Sequence, residues 1–179
     1  MVRKQEFKSV PRFLGGDPDT ETESEFMNNG KLLYIHTAVR TGRPMVSHES
    51  AIAVADAGLE GDRYLKGDGR FSRSPGSRDV TLFENEVLEA LKKEHGLELQ
   101  PNEHRRNLTT EGVALAQLVG KTFTVGAVTL EGLRPCNTCR FLNVASRKQV
   151  SVPLADRAGL ICRVVKGGTI NVSDPIKQR

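Results

Sequence analysis

The sequence predicts a mainly β fold, a closed or nearly closed barrel carrying a helix or two, and three observations point there. Short segments of strand composition recur along the chain, glycine turns separate them, and a single segment has clear helical periodicity. At 179 residues, 37% hydrophobic and 27% charged, the chain has the apolar material for one sizeable core and too little length for two catalytic domains.

Residues 1–30 hold Gly15-Gly16, Pro18, Asn28-Asn29-Gly30 and an acidic run without periodicity, which reads as an N-terminal leader. The domain is expected over residues 31–176, with 177–179 as a tail. KLLYIHTAV (31–39) has strand composition, and SAIAVADAGL (50–59) reads as one strand of imperfect alternation. RDVTLFE (78–84) sets Val80 and Leu82 against Asp79, Thr81 and Phe83. The helix is FENEVLEALKKEHG (83–96): Val87, Leu88 and Leu91 share a face, Glu89 stands in register with Lys92 and Lys93, and Gly96 is a stop signal. GKTFTVGAVTLEGLRP (120–135) alternates on both sides of a Gly126-Ala127 turn, as a hairpin does. Two more strands, GLICRVVKG (159–167) and GTINVSD (168–174), are expected to be joined by a tight turn at Gly167-Gly168.

No run approaches the roughly 18 apolar residues of a membrane helix, and the N-terminus lacks the apolar core of a secretory signal, so no membrane partner and a cytoplasmic location are expected. Three cysteines, an odd number, suit a reducing compartment. The charge is uneven: residues 13–30 carry five acidic and no basic side chains, whereas residues 31–179 carry 22 basic against 16 acidic. A basic body seeks an anionic partner, which charge alone does not identify. With no Trp, two Tyr and seven Phe, there are few platforms for stacking bases, which weighs against nucleic acid.

Pro135-Cys136-Asn137-Thr138-Cys139 is the sharpest local feature. Two thiols three apart can face one soft metal, exchange electrons as a dithiol, or lie buried. A zinc site lacks ligands, since only Cys162 remains and no His stands at finger spacing. A thioredoxin-type pair would open a helix after the first strand of a βαβ unit, and here the motif follows a hairpin late in the chain. Two further segments look like anion grips, the glycine turn of residues 58–63 (GLEGDR) and residues 102–110 (NEHRRNLTT), because the planar fork of Arg binds phosphate through two bonds.

Taken in order, GLEGDR (58–63), RDVTLFE (78–84), RRNLTTEGVAL (105–115), LVGKTFTVGAVTLEG (118–132), PCNTC (135–139), GLICRVVKGGTI (159–170) and SDPI (173–176) resemble the MOSC domain, the C-terminal module of molybdenum cofactor sulfurases. The resemblance implies a β-barrel, binding of a molybdopterin-type molybdenum cofactor, and a cysteine that holds molybdenum or carries sulfur as a persulfide. In the family that cysteine precedes a short apolar segment. Cys139, before Arg140-Phe141-Leu142, fits that register as the metal-holding and catalytic residue, with Cys136 as a resolving or persulfide-sharing thiol. Arg105 and Asn107 match the family's cofactor-binding segment, Arg63 its arginine ending the glycine turn, and Arg40-Thr41 a Lys-Ser pair of some members. The segment GDGRFSRSPGSR (67–78) stands where many members carry His and Gly, on the substrate side of the pocket.

The resemblance implies a molybdenum-dependent oxidoreductase or a sulfur carrier acting on a small-molecule substrate. The length leaves no room for a desulfurase domain and there is no second Cys cluster for an iron–sulfur centre, so an external sulfur-donor or electron-donor protein is expected. The rival reading is a non-enzymatic basic barrel binding nucleic acid through Arg70, Arg73, Arg78, Arg105 and Arg106; a third is a homologue that has lost its cofactor.

Overall fold

The computed structural model describes residues 30–73, 76 and 78–178; the acidic leader expected before the domain lies outside them, apart from Gly30. The element order is β1 (Gly30–Thr37), β2 (Val46–His48), β3 (Ser50–Val54), β4 (Gly58–Leu59), β5 (Val80–Glu84), α1 (Asn85–His95), β6 (Leu108–Glu111), a 3-10 turn (Leu115–Leu118), β7 (Thr122–Val125), β8 (Val128–Pro135), α2 (Arg140–Ser146), β9 (Leu160–Lys166), β10 (Gly168–Asn171) and β11 (Pro175–Gln178). The barrel thus takes in Gly30 at one end and Lys177 and Gln178 at the other, slightly beyond the expected limits.

Seven strands close a mixed barrel in the order β1-β6-β5-β9-β8-β7-β11, and β11 returns to β1 through Gly30 and Lys31. All pairs are antiparallel except β5–β6, which α1 links as a crossover. β2 extends the sheet along the last residues of β1, and β10, β3 and β4 form a separate antiparallel sheet. Closure leaves the seven strands without a free edge over most of their length.

Alternation fills the barrel. Val80 and Leu82 of β5, Phe123 and Val125 of β7, Val128 and Leu130 of β8, and Leu160, Cys162 and Val164 of β9 form one interior cluster. In β1 the inward residues are Leu32 and Ile35, three apart, because a bulge between Leu32 and Tyr34 shifts the register against β6. β5 is buried on both faces. Phe83 leaves the barrel wall and packs with Val87, Leu88 and Leu91 of α1, Leu142 of α2, and Val150 and Leu154. At the end of α1, Gly96 takes the left-handed conformation (φ 63°), and the N–H groups of Gly96 and Leu97 turn back to the carbonyls of Lys92 and Leu91.

Two expectations need correction. Residues 50–59 are two strands, β3 and β4, folded about a tight turn, because Asp56 takes a left-handed φ of 54° and breaks the alternation. Gly167-Gly168 does not close a hairpin: β9 pairs with β5 and β8, β10 pairs with β3, and the chain crosses there between sheets. Glycine suits the crossing, since a Cβ on Gly167 would come within 2.6 Å of the Ala53 carbonyl oxygen. The strands β2, β6 and β11 and the helix α2 had no counterpart in the sequence reading.

Two histidines lie inside this frame. His104 stacks on Phe83 with ring centroids 4.4 Å apart, accepts the Arg106 N–H at Nδ1 (3.0 Å), and so carries its proton on Nε2, which donates to Thr109 Oγ1 (2.9 Å). Burial, then Arg106 and His36, hold its pKa well below the ordinary value, while burial, then His48, bring His36 down to about 4. Both rings are neutral in the folded protein near pH 7, whereas in the unfolded chain they protonate near the ordinary histidine value of 6.5. Between pH 6.5 and about 4 the unfolded state therefore binds more protons, and stability falls as the pH falls. The urea midpoint is expected to drop from pH 7 to pH 4, with His36 contributing roughly 3 kcal/mol. His36→Leu should flatten that slope; a midpoint unchanged across the range would contradict neutral burial.

Candidate functional site

Thr81 alternates with Val80 and Leu82 and so points away from the barrel interior. Over this outer side of β5 lies a pocket walled by the turn after β1 (Thr41), the glycine turn and its continuation (Arg63, Tyr64, Arg70, Phe71), the lead-in to β5 (Arg78), the loop before β6 (Arg105, Arg106), and the turn and helix after β8 (Asn137, Cys139, Phe141, Leu142). Five of these residues are arginines and, among the described residues, none is acidic.

The pocket rests on a buried carboxylate. Asp62, fully buried, accepts at Oδ2 from the Ala38 N–H (3.1 Å), Arg63 Nη1 (3.1 Å) and Asn107 Nδ2 (3.2 Å), and at Oδ1 from the Tyr64 N–H (3.0 Å). Asn107 is equally buried and fully used: Oδ1 accepts from the Thr81 N–H and hydroxyl (3.2 and 2.8 Å), and Nδ2 donates to the His36 carbonyl as well as to Asp62. It ties β1, β5 and β6 to the glycine turn, and no donor or acceptor of its side chain remains for a ligand. Of the residues expected to bind cofactor, Asn107 is thus a structural tie rather than a contact.

Arg63, 5% exposed, bonds to Asp62, to Met45 Sδ (3.3 Å) and, through Nη2, to the carbonyl of Arg105 (3.2 Å). That carbonyl belongs to a residue held at φ 66°, a conformation most side chains avoid. The Arg105 guanidinium, on a residue 9% exposed, donates through Nη1 to the Arg43 carbonyl (2.8 Å), while Nη2 is buried without a partner among the described residues. Burial first, then the charge of Arg63, lower its pKa to about 10, so it stays protonated at neutral pH. Arg106 is committed to the chain: Nε donates to the Ala158 carbonyl (2.9 Å) and Nη2 to the Asn137 carbonyl (3.4 Å), which braces the turn bearing Cys139.

The three thiols part company. Cys139 is half-buried and lines the pocket at the start of α2. α2 is held by Leu142 in the second apolar cluster and by Asn143, whose Oδ1 accepts the N–H groups of Val150 and Ser151 (3.0 and 2.8 Å). Cys136 turns the other way, into an apolar cluster with Ala158 and Ile161, and does not reach the pocket. A resolving or persulfide-sharing role for it conflicts with this burial. Cys162 lies in the barrel core, where burial, then Cys136 and Asp79, push its thiol pKa well up.

The structure therefore brings Arg63, Arg105, Thr41 and Cys139 to one pocket, and leaves Arg40 exposed outside its lining. The sequence reading had not placed Tyr64, Phe71 and Phe141 at the site. Arg70 and Arg78 stood only in the nucleic-acid rival, and here each lies over an aromatic ring, Arg70 5.1 Å from the centroid of Phe141 and Arg78 4.9 Å from that of Phe71. Among the described residues, no three His, Cys, Asp or Glu side chains converge as a metal cage, so Cys139 would be a metal's one ligand from such a set. No helix among those residues is long and apolar enough to cross a membrane.

A family model described as the MOSC domain matches residues 36–177. No curated protein matches the chain. Among solved structures, the YuaD protein from Bacillus subtilis is similar with a TM-score of 0.67 at 14% identity, over 83% of this chain and 94% of that one. YiiM from Geobacillus stearothermophilus gives a TM-score of 0.60 at 13% identity, over 84% and 75% of the two chains. YiiM from Escherichia coli gives 0.58 at 20% identity, over 82% and 69%. At these identities the likeness is one of fold.

A thiol titration follows from the burial. Native protein is expected to react with a bulky disulfide reagent at Cys139 alone, and at Cys136 and Cys162 only on unfolding. Peptide mapping reads the result, and fast native labelling of Cys136 would contradict the assignment.

Proposed function

The chain belongs to the MOSC domain family, and from that premise we propose that its arginine pocket binds a molybdopterin-type molybdenum cofactor, with Arg105 on the phosphate and Cys139 at the metal. The observation that carries this reading is the buried, unpartnered Nη2 of Arg105 beside a half-buried thiol. A buried donor without an acceptor costs about 1 to 3 kcal/mol, and an anion in the pocket removes that cost. The donor set fits the group at both ends, a thiolate for a soft metal and guanidinium N–H groups for an anionic tail.

When bound, the cofactor supplies a molybdenum centre able to exchange oxygen atoms and electron pairs with a small substrate. The chain's own part is positioning. Arg63 holds the Arg105 carbonyl, Arg106 braces the Cys139 turn, and Asp62 neutralises Arg63, so the open charge of the inner pocket sits on Arg105. The same thiol serves a sulfur carrier: Cys139 accepts the terminal sulfur of a donor's persulfide, the donor leaves as a thiol, and no net oxidation occurs. Either way an external donor protein is required. The depth of Arg63 and Arg105 supports a small anion over a nucleic-acid backbone, which needs exposed donors.

The test is metal analysis, released-pterin fluorescence and cyanide-released sulfur on protein made in a host that synthesises the cofactor. Arg105→Ala is expected to stay folded and to lower cofactor affinity roughly ten- to a hundredfold, the worth of a charge-assisted bond. Cys139→Ser should lose molybdenum or transferable sulfur, whichever the parent carries, while Cys136→Ala keeps both. Full loading of Cys139→Ser and Arg105→Ala would defeat the proposal.

A further inference from the structure

The segment of residues 67–78 puts Arg70, Phe71 and Arg78 into the pocket wall. Arg70 is exposed and Arg78 half-buried, so they stand outside the deeply buried Arg63 and Arg105. Among the described residues their heads are held by rings rather than by hydrogen bonds: Arg70 over Phe141, and Arg78 over Phe71 and, at 5.8 Å, over Tyr64. Stacking fixes the plane of a guanidinium and leaves its edge, with all five N–H donors, free to meet a carboxylate or phosphate.

The charge count points the same way. Arg63 is neutralised by Asp62, and Arg106 is spent on three carbonyls. Neither Arg70 nor Arg78 has an ion pair among the described residues. Asp68 within the segment and Asp79 just after it are the nearest acids in sequence, and among the described residues neither forms an ion pair with them. Two uncompensated cations on one wall, beyond the one assigned to the cofactor, call for a second anion. Phe71 and Phe141 beside them offer flat apolar faces.

We propose that Arg70 and Arg78 form a second, outer anion subsite that binds an oxyanion of the substrate, a carboxylate or phosphate borne on a flat apolar body that packs on Phe71 and Phe141. As a statement about substrate this rests on the cofactor reading above, whereas the subsite itself is a property of this chain's own side chains.

Calorimetric titration with benzoate, phenyl phosphate and the neutral benzamide tests it, on the parent, on Arg70→Ala/Arg78→Ala and on the Arg70→Gln/Arg78→Gln version, with circular dichroism as the check on folding. At least one of the two anions is expected to bind the parent and to bind at least tenfold more weakly to both double variants, whose molybdenum and pterin contents match the parent's; the tighter of the two names the oxyanion. Benzamide should be weak and indifferent to the substitutions. Anion binding unchanged in the double variants, benzamide binding as tightly as benzoate, or loss of pterin together with anion binding would overturn the proposal, the last by giving these arginines to the cofactor. The two readings fail separately. A parent that carries neither molybdenum nor sulfur sinks the cofactor reading alone, and the same titration on that unloaded protein still decides the subsite.

Discussion

The Asp62 carboxylate is the constraint on which the site depends. A buried charge is costly unless paired and fully hydrogen-bonded, and Asp62 meets the condition with four donors from three parts of the chain: Ala38 after β1, its neighbours Arg63 and Tyr64, and Asn107 before β6. Each donor fixes a segment that walls the pocket. The carboxylate also neutralises Arg63, which then serves as a clamp on the Arg105 carbonyl and holds that residue in its left-handed conformation. A chain of three side chains thus leads from a buried anion to the one buried guanidinium nitrogen that faces no acceptor among the described residues.

Around this core the pocket is graded in charge and in exposure. Arg63, Arg70, Arg78 and Arg105 all lie over aromatic rings, but only the deepest, Arg63 and Arg105, are also held by carboxylate and carbonyl oxygens, and Cys139 presents a single thiol to the same pocket. The second cysteine of the motif is diverted into an apolar cluster on the other side of the turn. The pair therefore does not behave as a dithiol, and its chemistry reduces to one soft ligand facing a cationic wall.

Much of the fold was legible because its signals are local. Alternation marked β5, β7 and β8, a shared apolar face and a terminal glycine marked α1, and the Gly126-Ala127 turn marked the hairpin. What escaped depends on long-range pairing. β6 is four residues whose burial comes from β1 and β5 on either side, and the crossing at Gly167 looks like a turn until β10 is seen to pair with β3. Within the site, the two anion-grip segments pointed to Arg63 and Arg105, and the register of the family resemblance to Cys139; all three line one pocket. The Asn107 amide suits a phosphate and a buried tie equally well in sequence, and only the fold shows its side chain making four bonds within the chain. The density of Arg and Phe in residues 67–78 was the available signal for the outer wall, although nothing in the spacing shows which ring carries which guanidinium.

The most direct test is anomalous diffraction at the molybdenum edge from crystals of the cofactor-loaded protein. The account predicts a molybdenum peak at bonding distance from Cys139 Sγ and a phosphate oxygen within hydrogen-bond reach of Arg105 Nη2. A molybdenum peak away from Cys139, or an Arg105 Nη2 still without an acceptor in the loaded protein, would contradict it.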